Sequence, residues 1–172
     1  MPALTLTGAR VLLRPVRPDD GPALVEMFQE PAVARWWPRY DAERVEREVV
    51  GDDDPETTVY AVDVDGVVAG IVQCGEETEP DYRQASIDIA VATAWHGTGV
   101  AVDALRTLAR HLVDDLGHHH LTIDPAAANA RAIACYSKIG FRPVGVLRQN
   151  ERGPDGTFHD TLFMDLVAAE LR

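Results

Sequence analysis

Cysteine is scarce in this chain, with Cys74 and Cys135 the only two among 172 residues. Two thiols so far apart exclude a disulfide framework and a cysteine-rich zinc site, and they fit a reducing cytoplasm. Long hydrophobic runs are missing too. No apolar stretch reaches the roughly 20 residues that cross a bilayer, so no membrane association is expected. The opening Met1-Pro2-Ala3-Leu4 has no basic segment leading into an apolar one, and therefore no sign of a secretory signal. Positive charge is in short supply: 16 Lys and Arg stand against 28 Asp and Glu, a formal net charge of −12. Such a chain repels nucleic acid and attracts cationic small molecules or basic peptides. The Gly-Lys-Ser/Thr ending of a Walker loop is absent, as is the third glycine of a dinucleotide fingerprint.

What is present suffices for a sizeable core. Hydrophobic residues make up 46% of the chain, and its length fits a single domain spanning residues 1–172. The chain is organised around Trp95-His96-Gly97-Thr98-Gly99-Val100-Ala101. Ser86 to Val91 before it reads as a strand, and Val102, Leu105, Leu108, Ala109, Leu112, Val113 and Leu116 after it recur at helical spacing. A glycine-rich turn that opens a helix presents unpaired N–H groups to an anion, aided by the helix dipole. At roughly 1.5–3 kcal/mol for each charge-assisted bond, a few such donors suffice to hold a pyrophosphate.

Taken in order, Arg10 to Val16 reads as a strand, and Asp19-Asp20 as the N-cap region of a helix running to about Glu30 with Leu24, Val25, Met27 and Phe28 inward. Trp36 and Trp37 follow in a loop; either they cap the core and pack on Pro38, or they form an aromatic wall for a ligand. Asp41 to Val50 is a second amphipathic helix, closed by the acidic run Asp52-Asp53-Asp54. Thr57 to Val64 and Val67 to Cys74 are strands joined by the hairpin signal Asp65-Gly66. Gly75 to Asp81 reads as an acidic loop beside the same sheet edge as the glycine turn. His118-His119-His120 reads as a helix cap and turn, because sequence neighbours do not converge on one ion, and no metal is expected. Leu121 to Asp124 is a strand stopped by Pro125, Asn129 to Ile139 a helix ended by Gly140, and Phe141 to Asn150 with Thr157 to Val167 a hairpin turning at Gly153-Pro154-Asp155-Gly156. The tail from Ala168 is expected to play no part.

This order and these motifs resemble the GNAT superfamily of acyl-CoA N-acyltransferases. The family's Gln/Arg-x-x-Gly-x-Gly/Ala turn is matched by His96, Gly99 and Ala101, with His in place of Gln or Arg at the first position. Its Asn-x-x-Ala-x-x-x-Tyr-x-x-x-Gly-Phe helix is matched by Asn129, Ala132, Tyr136, Gly140 and Phe141. Trp36-Trp37, Glu76-Glu77-Thr78-Glu79-Pro80, Ile87-Asp88 and Thr122-x-Asp124-Pro125 look like aminoglycoside 6′-N-acetyltransferases, a likeness running from about residue 10 to 167. Glu79 stands where Asp is expected, and two extra residues separate Pro80 from Asp88. Phe158-His159-Asp160 in the last hairpin is closer to protein N-terminal acetyltransferases.

The resemblance implies an α/β (α+β) fold with a mixed, mostly antiparallel sheet of about seven strands flanked by about four helices. It implies acetyl-CoA as cosubstrate, held by the backbone of Ile89, Ala90 and Val91, by residues 96–101 (His96, Gly97, Thr98, Gly99, Val100 and Ala101), and by Asn129 and Tyr136. Asp88 or Asp124 would take the amine proton, and Tyr136 would protonate the departing sulfur. Trp36, Trp37, Glu79, Asp81, Asp88 and Asp124 would hold a cationic amine, with an aminoglycoside 6′-amine expected first. A protein N-terminus, a polyamine or a siderophore hydroxylamine is the alternative acceptor, and a noncatalytic acyl-CoA-binding domain the alternative of another class. The chain is expected to be cytoplasmic, as a monomer or homodimer.

Overall fold

The computed structural model describes residues 4–51 and 54–172. The start of the chain and Asp52-Asp53 of the first acidic run lie outside the described residues. The strands are β1 (Leu6–Thr7), β2 (Leu12–Pro15), β3 (Thr57–Val64), β4 (Val67–Glu77), β5 (Gln84–Val91), β6 (His120–Ile123), β7 (Arg142–Arg152) and β8 (Phe158–Val167). The α-helices are α1 (Gly21–Gln29), α2 (Pro31–Ala34), α3 (Ala42–Val45), α4 (Val100–Arg110) and α5 (Ala130–Ile139), and wider helical turns continue α3 over Glu46–Val50 and α4 over His111–Asp115. All the strands join one 8-stranded sheet in the order β1-β2-β3-β4-β5-β6-β8-β7. Two-residue β1 is the strand beyond the expected number, too short to leave a period-2 pattern.

Every neighbouring pair is antiparallel except β5 and β6, which α4 connects as a parallel crossover. Strand alternation sends Val62, Val72, Ile87 and Ile89 to one face, where Leu105, Leu108 and Leu112 pack with Ile139 of α5. Ile71 and Ala90 point to the other face, beneath Leu24, Phe28, Val45 and Val49 of the N-terminal helices. The β3–β4 turn has positive φ at Asp65 (52°) and Gly66 (84°), as an Asp-Gly hairpin requires.

Three expectations need correction. Asp20 stands at the N-cap position of α1, as expected, but its side chain does not cap the helix: the carboxylate accepts from both terminal nitrogens of Arg14 at 2.8 and 2.9 Å and from the Arg17 N–H at 2.7 Å. Asp63 takes the Arg14 Nε–H at 2.9 Å, so a buried guanidinium competes successfully for the side chain. Gly75-Glu76-Glu77 are not loop, because β4 runs on to Glu77 opposite Gln84. Glu76 accepts from Nε2 of buried His118 at 2.6 Å. The tail is not idle either. Arg172 N–H donates to Ile139 O at 3.0 Å, its own carbonyl accepts from Arg106 at 2.7 Å, and Leu171 packs on the core.

Candidate active site

The parallel pairing of β5 with β6 lasts only two residues, Ala85 with Leu121 and Ser86 with Thr122. Beyond them the strands part, and a cleft of about 900 Å³ opens. Antiparallel pairing alternates bonded and unbonded partners. Since the Ala92 N–H bonds Ala69 O at 2.8 Å, the same register commits Ala90 to Ile71 and turns the N–H groups of Ile89 and Val91 toward the cleft. Of the three backbone donors expected there, Ala90 is therefore taken up by the sheet. Ile89 donates to its neighbour's carboxylate, Asp88 Oδ1, at 2.9 Å.

The glycine turn borders this opening. Gly97 and Gly99 have φ of 72° and 87°, a left-handed conformation that lets the turn deliver α4 at the cleft. His96, Thr98 and Val100 use their N–H groups inside the turn, on Thr93 O, Trp95 O and Thr98 Oγ1. Val100 is fully buried in the core, and neither it nor Thr98, both expected at the cofactor, lines the cleft. The donors left for an anion belong to Gly97, Gly99, Ala101 and Val102, which do line it. His96 places Nε2 2.9 Å from Val91 O, and its Nδ1 meets the guanidinium of Arg131. Asn129, next to Arg131, caps α5 by accepting the Ala132 N–H at 3.2 Å.

Three carboxylates meet deeper in the cleft. Asp88 is exposed to the cleft, and desolvation by the protein crowded around it lifts its pKa to about 7. The Ile89 N–H opposes that rise, while the charges of Asp124 and Glu151 add to it. Asp124 follows β6, held by a bridge between Ala126 and Thr161 and by Leu162 N–H on Pro125 O at 2.8 Å. Its pKa is raised by burial, against the amide of Asn150, which donates to Oδ2 at 3.2 Å. Glu151 is raised by burial and by Asp124. Buried Tyr136 of α5 lines the same cavity, and burial followed by the charge of Asp88 holds its hydroxyl far above the usual tyrosine range.

Around the acids stands a mixed rim. Trp36 lines the cleft under the Arg35 guanidinium, 4.5 Å from the ring centroid. Trp37 also reaches the cleft but packs chiefly on Phe28 and Tyr40, at centroid distances of 5.6 and 5.3 Å. Arg39 donates to Gly153 O at 3.1 Å and Arg152 O at 2.9 Å, tying the tryptophan loop to the β7–β8 turn. Glu79 and Asp81 are not brought to the site. They lie exposed in the β4–β5 turn, at the end of β5 away from the glycine turn, and do not line the cleft. The long β4 carries that turn out of reach.

A family model described as an acetyltransferase (GNAT) domain matches residues 10–142. The chain belongs to the GNAT acetyltransferases. It is 29% identical to streptothricin acetyltransferase of Streptomyces lavendulae over 150 residues, covering 86% of this chain and 77% of that protein. It is 28% identical to aminoglycoside N(6')-acetyltransferase type 1 of Klebsiella pneumoniae over 171 residues, covering 89% of this chain and 82% of that one. The solved structure of AAC(6')-Ib with parmomycin and acetyl-CoA superposes with a TM-score of 0.76 at 25% identity, over 94% of this chain and 96% of that one.

As a GNAT acetyltransferase the enzyme uses acetyl-CoA. The residues of this chain suit that cosubstrate: the strand-edge N–H of Val91 for an amide-bearing arm, and a glycine turn at a helix start for a diphosphate. The β7 strand adds two residues that sequence reasoning missed. Its register shifts between Leu147 and Glu151, with Gln149 at φ 50°, and this bulge delivers Asn150 and Glu151 to the acids. A non-glycine residue in that conformation leaves no mark in the sequence. Arg131 and Arg39 were missed as well, since each acts through a contact with a distant segment.

Proposed function

We propose that the enzyme transfers the acetyl group of acetyl-CoA to a primary amine of a cationic small molecule of the aminoglycoside or streptothricin kind. The observation that carries this reading is the convergence of Asp88, Asp124 and Glu151 on one cleft, where desolvation by the surrounding protein raises the pKa of each. Crowded, desolvated carboxylates gain most from a bound ammonium group. An acceptor enters between Trp36 and the β7–β8 turn and places its amine against Asp88. Asp88 takes the amine proton, and the freed nitrogen attacks the thioester carbonyl carbon. The Val91 N–H supports the oxygen as it gains negative charge. When the C–S bond breaks, the sulfur keeps the electron pair and Tyr136 donates its proton to it. Asp124, aligned by Asn150, holds the incoming ammonium group. The whole chain acts as one domain, at the cytoplasmic source of acetyl-CoA.

A second reading rests on the rim. Arg35, Arg39 and Arg152 line the outer cleft, and none has an ion-pair partner among the described residues. They suit an acceptor with acidic groups behind its amine, such as a peptide N-terminus. Release of CoA thiol, measured across aminoglycosides, streptothricin and short acidic peptides, separates the two. Turnover of an antibiotic amine, suppressed in Asp88→Asn, supports the first reading. Turnover of peptides alone replaces it with the second.

A further inference from the structure

Residues 95–101 hold no Lys or Arg, so a side-chain cation for an anion on the glycine turn comes from another segment; Arg10 donates to Thr98 O from outside but does not line the cleft, and Arg131 does. The ring nitrogens of His96 are both engaged. Nε2 lies 2.9 Å from Val91 O, a pure acceptor, so Nε2 carries the hydrogen. Nδ1 then has only a lone pair, and Arg131 donates to it. The imidazole therefore has no donor to offer an anion. Arg131 has several. Its guanidinium carries five N–H groups, one of which faces His96. The side chain is exposed, lines the cleft, and has no ion-pair partner among the described residues. His96 thus links the last residue of β5 to the first turn of α5, across the opening between them.

We infer that Arg131 is the side-chain cation for the diphosphate of acetyl-CoA, and that His96 is a positioning residue holding it beside the glycine turn. A guanidinium meets phosphate oxygens with parallel N–H bonds, and this geometry suits a diphosphate lying over Gly97 and Gly99. Position 96 keeps a ring whose two nitrogens match a carbonyl on one side and a guanidinium on the other.

Calorimetric titrations of the intact protein with CoA, dephospho-CoA and pantetheine test this. Arg131→Met is expected to weaken CoA and dephospho-CoA about 10- to 100-fold, and to leave pantetheine within about twofold. His96→Ala is expected to weaken CoA about 3- to 10-fold with pantetheine unchanged. His96→Gln restores CoA binding, because an amide can donate to Val91 O and accept from Arg131 at once. His96→Arg in the Arg131→Met background recovers most of the lost affinity by returning a cation to the turn. Equal losses for CoA and pantetheine, or none in Arg131→Met, overturn the inference. So does a loss confined to CoA with dephospho-CoA unaffected, which moves the contact to the 3′-phosphate. Failure of His96→Gln to restore binding overturns the positioning role. None of these outcomes depends on the identity of the amine.

Discussion

Replacing Asp88 with Asn should slow the enzyme and stabilise it at the same time. The carboxylate has been lifted from the ordinary aspartate value of 3.8 to about 7, first by desolvation and then by the charges of Asp124 and Glu151. A gap of that size corresponds to roughly 4 kcal/mol at 1.36 kcal/mol for each tenfold change in the ionisation constant. Asp88 opens onto the cleft, so screening reduces this to about 1–2 kcal/mol. The folded protein holds the proton more tightly than the unfolded chain, so stability from this group falls as pH rises from about 4 to 7. Above about 7 the penalty is at its full value, and below about 4 it is gone. Asparagine keeps an oxygen for the Ile89 N–H and carries no charge. Its Tm should therefore exceed that of the parent by about 3–6 °C at pH 8, and the difference should shrink toward pH 4. Calorimetric melts across that range read the effect. Turnover should drop about 10²–10⁴-fold, and the acidic limb near pH 7 expected in the parent's kcat/KM should disappear. An unchanged or lower Tm at pH 8 would refute the desolvation argument. A rate that stays flat down to pH 5 in the parent would refute Asp88 as the base.

Tyr136→Phe should reduce kcat about 100-fold with little change in the acetyl-CoA KM, and the parent's rate should show no alkaline limb from this hydroxyl below pH 10, as a pH profile would reveal. Asn150→Ala frees one carboxylate oxygen of Asp124, so steady-state kinetics should give an acceptor KM about 3- to 10-fold higher and an unaltered acetyl-CoA KM. Gly99→Ala forces a Cβ into a left-handed residue at φ 87°, which should cost about 1–2 kcal/mol of stability in denaturant melts and about tenfold in CoA affinity by titration.

Much of the scaffold was legible because short-range chemistry dictates it. Asp65-Gly66 specifies a tight turn wherever two apolar strands flank it, and Gly140 ends α5 at φ 117° as a helix stop should. Asp88 and Asp124 come level because β5 and β6 share one register, and the order of elements already implied that crossover. What stayed hidden depends on distant partners. The extension of β4 through Gly75, Glu76 and Glu77 is decided by β5 opposite, against the loop-like composition of the segment. Asp20 reads as a cap until Arg14 is seen to claim it. Glu151 depends on a bulge with no glycine to announce it, and Arg131 on a histidine 35 positions away.

The Arg39 contact with the β7–β8 turn has a consequence for how such enzymes diversify. The entrance is framed by two surface segments 113 and 114 positions apart, joined through main-chain carbonyls that any residue would offer. Asp88, Tyr136 and Asp124, the groups proposed to react, sit on β5, on α5 and at the end of β6, while Glu151 stands at the root of this turn on β7. Lengthening or reshaping the turn at 153–156 would therefore change which molecules can enter while leaving Asp88, Asp124 and Tyr136 in place. A lineage carrying this arrangement can explore new acceptors through insertions and deletions at the doorway, and each trial puts affinity at risk before it touches chemistry.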